Sequence, residues 1–178
     1  MPPPVILLCW PRRLGARARG RAGGFSLVEV MIAVAIVSFL AMMAVPAVSR
    51  LKNKARASAT AHDLRVFEAA FQGYASEKGV FPTTSDPGQL PPEMVDRIQA
   101  EAWAKISPVG GHYAWAHNQV FNGVPCAAAI TITPTPDSAL VNDADQLEAL
   151  DRMIDDGNLG TGSLIFGGDG SLVWIVER

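Results

Sequence analysis

Cysteine is scarce in this chain, and the residue clusters that mark common catalytic and metal sites are missing from it. The two cysteines, Cys9 and Cys126, form no cysteine cluster of the kind that binds zinc. The three histidines, His62, His112 and His117, do not form a His-Glu-x-x-His zinc pair. Neither a Gly-x-Ser-x-Gly nucleophile motif nor a phosphate-binding glycine loop occurs. We therefore expect no enzymatic activity, no metal and no cofactor.

Acidic residues are absent from the first 24 positions, which contain five arginines. From Phe25 onward the chain has 10 basic and 17 acidic residues, a net charge of −7. Nucleic-acid backbones are bound by clustered lysine and arginine, so an acidic domain is a poor surface for them. We expect no nucleic-acid partner.

Charge is also absent from the 19 residues between Val30 and Val48, nearly all of which are apolar. A helix of about 20 apolar residues crosses the ~30 Å hydrocarbon core of a bilayer. After Leu51 the charges return and remain scattered. The pattern predicts a membrane-tethered protein with one globular domain.

Three interpretations of the N-terminal segment are open at this point. For a secretory signal peptide, the run Val5–Trp10 is too short and the run Val30–Val48 is too long, although the alanines near Ala44–Ala47 could be cut by a signal peptidase. A plain membrane anchor explains the apolar run but leaves Glu29 unexplained, and ionisable groups in membrane segments are costly and usually functional.

The third interpretation takes in the whole string from Arg21 to Ile32, with a basic leader, Gly24, an aromatic Phe25 and then Glu29 at a fixed offset. This string resembles the type IV prepilin signature shared by pilins and type II secretion pseudopilins. The resemblance implies that a prepilin peptidase cuts between Gly24 and Phe25 and that Phe25 becomes an N-methylated terminus. It also makes Glu29 the fifth residue of the mature chain. Pro46 matches a family proline, where the helix is expected to kink or open.

A physical mechanism accompanies the resemblance. The new α-amino group of Phe25 would need a partner inside a bundle of apolar helices, because an unpaired charge in low dielectric is expensive. Glu29 of a neighbouring subunit can supply that partner and set the register between subunits. The expected partners are therefore the prepilin peptidase, other pilin or pseudopilin subunits and the inner membrane.

The helix is expected to run from Phe25 to Lys78. Its outer half shows apolar residues at helical spacing, Leu64, Phe67, Phe71 and Tyr74. A second helix is predicted to begin at Pro92, with four inward residues, Val95, Ile98, Ala102 and Ile106. Further along, the sequence predicts strands at His112–Ala116 and Ala127–Thr133, a capped helix after Asp143, and a hairpin of Ser163–Phe166 with Leu172–Val176.

This order predicts an α+β fold in which a long N-terminal helix, transmembrane and then amphipathic, packs on a small antiparallel sheet. The fold is similar to the pilin fold. We expect a leader at residues 1–24, a transmembrane or filament-core helix at 25–48, and a globular domain at 49–178 that includes the outer half of the helix. The protein would cross the inner membrane once, with its C-terminal domain periplasmic or extracellular, and form a filament after processing.

The sequence thus favours a structural subunit of a type IV pilus or a type II secretion pseudopilus. The alternative from another class is a membrane-anchored exported binding or enzymatic domain that forms no filament. A minor pilin for DNA uptake is disfavoured by the net charge of −7. Asp155, Asp156 and Asn158 leave open a calcium-binding turn, against the simpler interpretation of an acidic helix end that passes into a turn.

Overall fold

The structure, a computed structural model, describes residues 24–141 and 143–178. The remainder of the predicted leader, with its five arginines and Cys9, lies outside the described residues. The chain divides into a first unit that ends at Met42 and a second unit from Met43 to Arg178.

The first unit contains the beginning of helix α1, which spans Leu27–Lys78. Every side chain from Leu27 to Met42 is exposed, and Glu29 is the one charged residue in this stretch. Among the described residues, α1 is the one helix that is long and apolar enough to cross a membrane. The predicted membrane-length helix is therefore present, and it begins two residues after the expected Phe25.

In the second unit, α1 buries a single stripe of residues against the rest of the domain. Leu64, Phe67 and Phe71 are buried, and Tyr74 is partly buried against the same core. Their spacing of three, four and three residues keeps them on one helix face, as predicted. The helix ends at Lys78, where Gly79 takes a left-handed conformation with φ of 74°. Glycine adopts this conformation without the steric cost of a Cβ atom, which makes it a common residue just after a helix end.

Four antiparallel strands form one sheet in the order β1-β2-β4-β3. Their bounds are β1 His112–Phe121, β2 Val124–Thr133, β3 Leu164–Phe166 and β4 Leu172–Glu177. The first hairpin turns through Asn122 and Gly123, both with positive φ, as a two-residue type I′ turn requires. The predicted α+β class and the C-terminal hairpin are confirmed, and β1 and β2 are longer than predicted.

Aromatic side chains from α1 and the sheet form the centre of the core. The rings of Phe71 and Trp115 stack with their centroids 3.8 Å apart. Phe67 meets Trp103 and Tyr113 edge-on, at centroid distances of 5.0 and 5.1 Å. The indole N–H groups of Trp103 and Trp115 each donate to a backbone carbonyl oxygen. The polar atoms of these large rings therefore remain paired while the rings are buried.

The prediction of a second helix that begins at Pro92 is wrong. A 3₁₀ turn at Pro92–Met94 and a short helix α2 at Ala100–Ala104 take its place. Of the four residues predicted to face inward, only Ile98 is buried, while Val95 is 61% exposed and Ile106 is 53% exposed. The buried residues of this region are instead Met94 and Trp103. A single helix with a four-residue spacing would not place both of them in the core.

Helix α3 spans Ala144–Ile154 and confirms the predicted cap at Asp143. The carboxylate Oδ1 of Asp143 accepts the backbone N–H groups of Asp145 and Gln146, at 3.1 and 3.4 Å. An N-terminal aspartate of this kind satisfies donors that have no partner inside the helix. The helix lies between β2 and β3 in the chain order.

We predict that Phe71→Ala destabilises the protein by about 3–5 kcal/mol, because it removes a buried ring and the stacking contact with Trp115. Urea unfolding of the full chain in detergent, followed by tryptophan fluorescence, would measure the change. Val66→Ala is the matched control on the same helix, since Val66 is half exposed and its truncation should cost about 0.5 kcal/mol or less. Equal effects of the two substitutions would contradict the proposed core.

Candidate processing and assembly site

Gly24 and Phe25 lie in non-helical backbone directly before α1. Both residues are exposed; Phe25 retains 82% of its accessible surface. A Cβ atom added at Gly24 would meet no atom within 4 Å among the residues that the structure describes. Peptide bonds in exposed, non-helical backbone are the ones that proteases reach most easily. The structure therefore leaves the bond between Gly24 and Phe25 accessible.

The start of α1 has an N-cap serine that the sequence reasoning missed. The backbone N–H of Glu29 donates to the Ser26 hydroxyl over a long 3.4 Å, and the N–H of Val30 donates to the Ser26 carbonyl at 3.2 Å. Ser26 is thus the N-cap and Glu29 is the third helical residue, which is the spacing of a Ser-x-x-Glu capping box. The string Ser26-Leu27-Val28-Glu29 carried this signal in the sequence. The cap explains why the helix begins at Leu27 and not at Phe25.

Glu29 lies in the first turn of α1, where the partial positive charge of the helix N-terminus favours an anion. The same partial charge disfavours a cation at Phe25, which is the charge that cleavage would create there. Glu29 is exposed and forms no ion pair with any residue in the described part of the chain. Within the described residues, its carboxylate is therefore free to accept a further cation.

Pro46 lies inside α1, and the helix continues through it. Proline has no N–H to donate, so the carbonyl of Met42, four residues earlier, lacks its usual helical partner. The division between the two units falls next to that carbonyl, between Met42 and Met43. The described helix shows no opening at Pro46, and a bend at this position remains a prediction.

A cluster of three carboxylates lies at the end of α3, apart from the N-terminal motif. Oxygen atoms of Asp151, Asp155 and Asp156 all lie within 4.8 Å of one another, and this is the one group of its kind among the described residues. Asp151 is completely buried. Burial raises the pKa of its carboxyl from the ordinary 3.8 to about 6, and the charges of Asp156 and Asp155 act in the same direction.

The two exposed members of this cluster brace the loop that follows α3. The Asp155 carboxylate accepts the backbone N–H of Ser163. Asp156 accepts the Thr161 hydroxyl at 2.8 Å and the backbone N–H of Asn158 at 2.8 Å, and these bonds hold the pKa of its carboxyl below the ordinary value. The three oxygens could hold a divalent cation, since carboxylates are its usual ligands. The interpretation of an acidic helix end that passes into a turn accounts for Asp155 and Asp156 without one.

Comparison with known proteins agrees with both the motif and the fold. Residues 19–45 match the family model described as the prokaryotic N-terminal methylation motif. The chain is 33% identical over 92 residues to the type II secretion system core protein G of Klebsiella pneumoniae, an alignment that covers 52% of this chain and 64% of that protein. The chain thus spans somewhat less than two thirds of the length of this curated relative.

A solved structure is also similar in fold, the major type IV pilin PilA1 from Clostridium difficile. The TM-score is 0.51 at 18% identity, and the alignment covers 71% of this chain and 97% of the pilin. The architecture is therefore that of a pilin-fold protein. The chain thus carries the prokaryotic N-terminal methylation motif at residues 19–45 and is similar over about half of its length to a type II secretion core protein.

The structure places the predicted site residues at two positions, around the start of α1 and within it. Gly24, Phe25 and Glu29 lie together at its start, and Pro46 lies 17 residues beyond Glu29 along the same helix. Ser26 and the buried Asp151 are the polar residues that the sequence reasoning did not single out. Ser26 could have been found from its capping spacing, but the burial of Asp151 depends on tertiary packing that the sequence pattern does not show.

We predict that Asp151→Asn stabilises the protein at pH 7.5 by about 1–3 kcal/mol, because ionising this buried carboxyl opposes folding. The pKa of Asp151 is higher in the folded protein than in the unfolded chain, so the neutral carboxyl favours the folded state. This contribution to stability is fully present below about pH 4 and is lost as the pH rises through about 6. The advantage of the variant should therefore shrink on acidification and vanish near pH 4. Thermal unfolding between pH 4 and 8, with a chelator present, would measure it.

Asp145→Asn is the matched control for this experiment. It makes the same chemical change on the same helix, but at an exposed position. Its effect on the unfolding temperature should be small and should not follow the same pH dependence. A variant at Asp151 that is no more stable at pH 7.5, or whose advantage grows in acid, would show that the carboxyl is already ionised at little cost.

Proposed function

We propose that this protein is a structural subunit of a type IV pilus or a type II secretion pseudopilus, made as a membrane-held precursor and processed after Gly24. The observation that carries the proposal is the methylation motif at residues 19–45, with its Gly24–Phe25 bond exposed just before a capped apolar helix. The similarity to a secretion-system core protein and the pilin fold support the same conclusion. The protein's role would be architectural and not enzymatic.

Processing is the first step of this proposal. A prepilin peptidase at the inner membrane would cut between Gly24 and Phe25 and remove the leader, residues 1–24. Phe25 would then carry the N-methylated α-amino group. The cut requires an accessible backbone, and the exposed, non-helical conformation of both residues meets this requirement.

Assembly follows from the charges that processing leaves behind. The Phe25 amino group of one subunit would pair with the Glu29 carboxylate of a neighbour inside a bundle of α1 helices. Both charges lie in apolar surroundings in such a bundle, where a paired charge is far less costly than an isolated one. A single allowed pairing would also fix the axial register between subunits.

The apolar segment and the globular domain have different roles in this proposal. Residues 25–48 would first cross the inner membrane and later form the filament core, since their side chains are all exposed and nearly all apolar. Residues 49–178 would form the periplasmic or extracellular globular domain, which includes the outer half of α1. Pro46, near the end of the apolar segment, would let the helix bend or open when the subunit enters the filament.

Gly24→Ala should block processing, because a side chain at the scissile glycine would obstruct the peptidase. We expect co-expression with a prepilin peptidase to shorten the wild type by residues 1–24 and to leave this variant at full length. Intact-mass spectrometry and N-terminal sequencing would show both results, with Phe25 as the new N-methylated terminus. Gly15→Ala, in the same leader, is the control and should be cut normally. A wild-type mass unchanged by the peptidase would favour an exported domain on a simple anchor.

Glu29→Gln should be processed normally but should assemble poorly, because the amino group of a neighbouring Phe25 would lose its charged partner. Since an unpaired buried charge costs several kcal/mol, we expect filament yield to fall at least about tenfold in a strain with the assembly machinery. Sedimentation of sheared filaments and electron microscopy would measure the yield. Glu101→Gln removes the same charge from an exposed position in the globular unit and should assemble like the wild type. Normal assembly of Glu29→Gln would refute the pairing.

A further inference from the structure

Four cations follow the uncharged segment at alternate positions on α1. They are Arg50, Lys52, Lys54 and Arg56, which we call the basic collar. All four are exposed, and none has a carboxylate within 4.0 Å among the residues that the structure describes. The processing and pairing steps proposed above make no use of them.

The collar surrounds the helix and is not confined to one side. With 3.6 residues per turn, Arg50 and Lys54 lie on one face of α1, and Lys52 and Arg56 lie on the opposite face. The four positions span only about 9 Å along the helix axis, at ~1.5 Å per residue. The headgroup region on each side of a bilayer core is of similar thickness, about 5–8 Å.

This arrangement destabilises an isolated helix. Arg50 with Lys54 and Lys52 with Arg56 are like-charged pairs at a spacing of four residues, which repel each other. Asn53, between them, is neutral and cannot offset this charge; its side-chain amide donates to the Asp143 carboxylate at 2.8 Å. The collar also places positive charge on the side of the apolar segment where topology rules do not favour it. An external anion that binds at this level would relieve both costs.

One side of the collar faces a groove that could hold such an anion. Arg50 and Lys54 line it together with Arg152 from α3, and its volume is about 600 Å³. Arg152 is paired with Glu148 at 3.1 Å, and Asp145 also lines the groove. Arg50 and Lys54 form no ion pair within the described part of the chain. The opposite side of the collar, with Lys52 and Arg56, is exposed.

We propose that the basic collar binds the phosphate groups of anionic phospholipids in the leaflet where α1 leaves the membrane, and so holds the precursor at a fixed depth before assembly. The proposal rests on the membrane orientation given under the proposed function. Basic residues next to a membrane segment attract anionic lipids strongly, and the attraction falls off within a Debye length. A lipid headgroup layer can reach both the groove and the exposed face of the helix at one level, which matches the two opposite faces of the collar.

A second copy of the chain is the competing occupant. Residues 57–178 contain 6 basic and 16 acidic residues, a net charge of −10, so a neighbouring globular domain could also attract the collar. A single protein neighbour, however, presents its acids to one face of the helix. The two opposed faces of the collar therefore distinguish a surrounding lipid layer from a protein contact.

The test uses the uncleaved full chain in nanodiscs of phosphatidylcholine with a minority of phosphatidylglycerol. Native mass spectrometry after release into mild detergent would identify the retained lipids. We expect phosphatidylglycerol to be enriched about twofold over the bilayer composition, and to be released at high salt. Arg50→Gln with Lys54→Gln, and Lys52→Gln with Arg56→Gln, should each remove about half of the enrichment, and all four together should abolish it.

Lys78→Gln with Lys105→Gln removes the same charge outside the collar and should retain the full enrichment. Glutamine is a good helix former, so the collar variants should keep their helix content, which circular dichroism would check. No enrichment in the wild type, or equal enrichment in the fourfold variant, would overturn the proposal. Loss confined to one of the two pairs would overturn it in favour of a protein contact. Because the uncleaved chain is used, these outcomes are independent of processing at Gly24 and of pairing at Glu29.

Discussion

The stacked rings of Phe71 and Trp115, 3.8 Å apart, tie α1 to the edge strand β1, and the rest of the second unit is arranged around this contact. On the other side of β2 in the sheet, the indole of Trp174 in β4 donates to the Glu68 carboxylate at 3.2 Å. The same helix is therefore held by two strands that are not neighbours. Because β1, β2 and β4 are joined by backbone hydrogen bonds, moving α1 would disturb all three strands at once.

The same helix has a different surface in its first sixteen residues. From Leu27 to Met42 the side chains are exposed on every side and nearly all apolar, whereas the outer half buries one stripe and exposes its remaining faces. A helix that is apolar all round needs an apolar environment, while a one-sided stripe needs only one packing partner. In the proposed function, lipid and then neighbouring helices supply the first environment, and the sheet supplies the second.

Much of the fold could be predicted because its signals are local. The spacing of Leu64, Phe67 and Phe71, the aspartate cap at Asp143 and the glycine-rich turn before β4 each fix structure within a few residues. The prediction for the region after Pro92 failed because Trp103 is placed by its contacts with Phe67 and Phe71, which lie more than 30 residues away in the sequence. The roles proposed for Gly24, Phe25 and Glu29 involve other molecules, so they rest on the sequence motif and on the exposure of these residues.

The position of the proposed cut has an energetic consequence for assembly. In the precursor, the nitrogen of Phe25 belongs to a neutral peptide bond, and the exposed Glu29 carboxylate in the first turn of α1 is stabilised by the helix dipole. Cleavage would replace that neutral group with a cation at the end of the helix where a cation is least favoured. The processed subunit would therefore be less stable alone than beside a neighbouring Glu29. On this argument, removal of the leader creates the charge whose pairing favours filament formation.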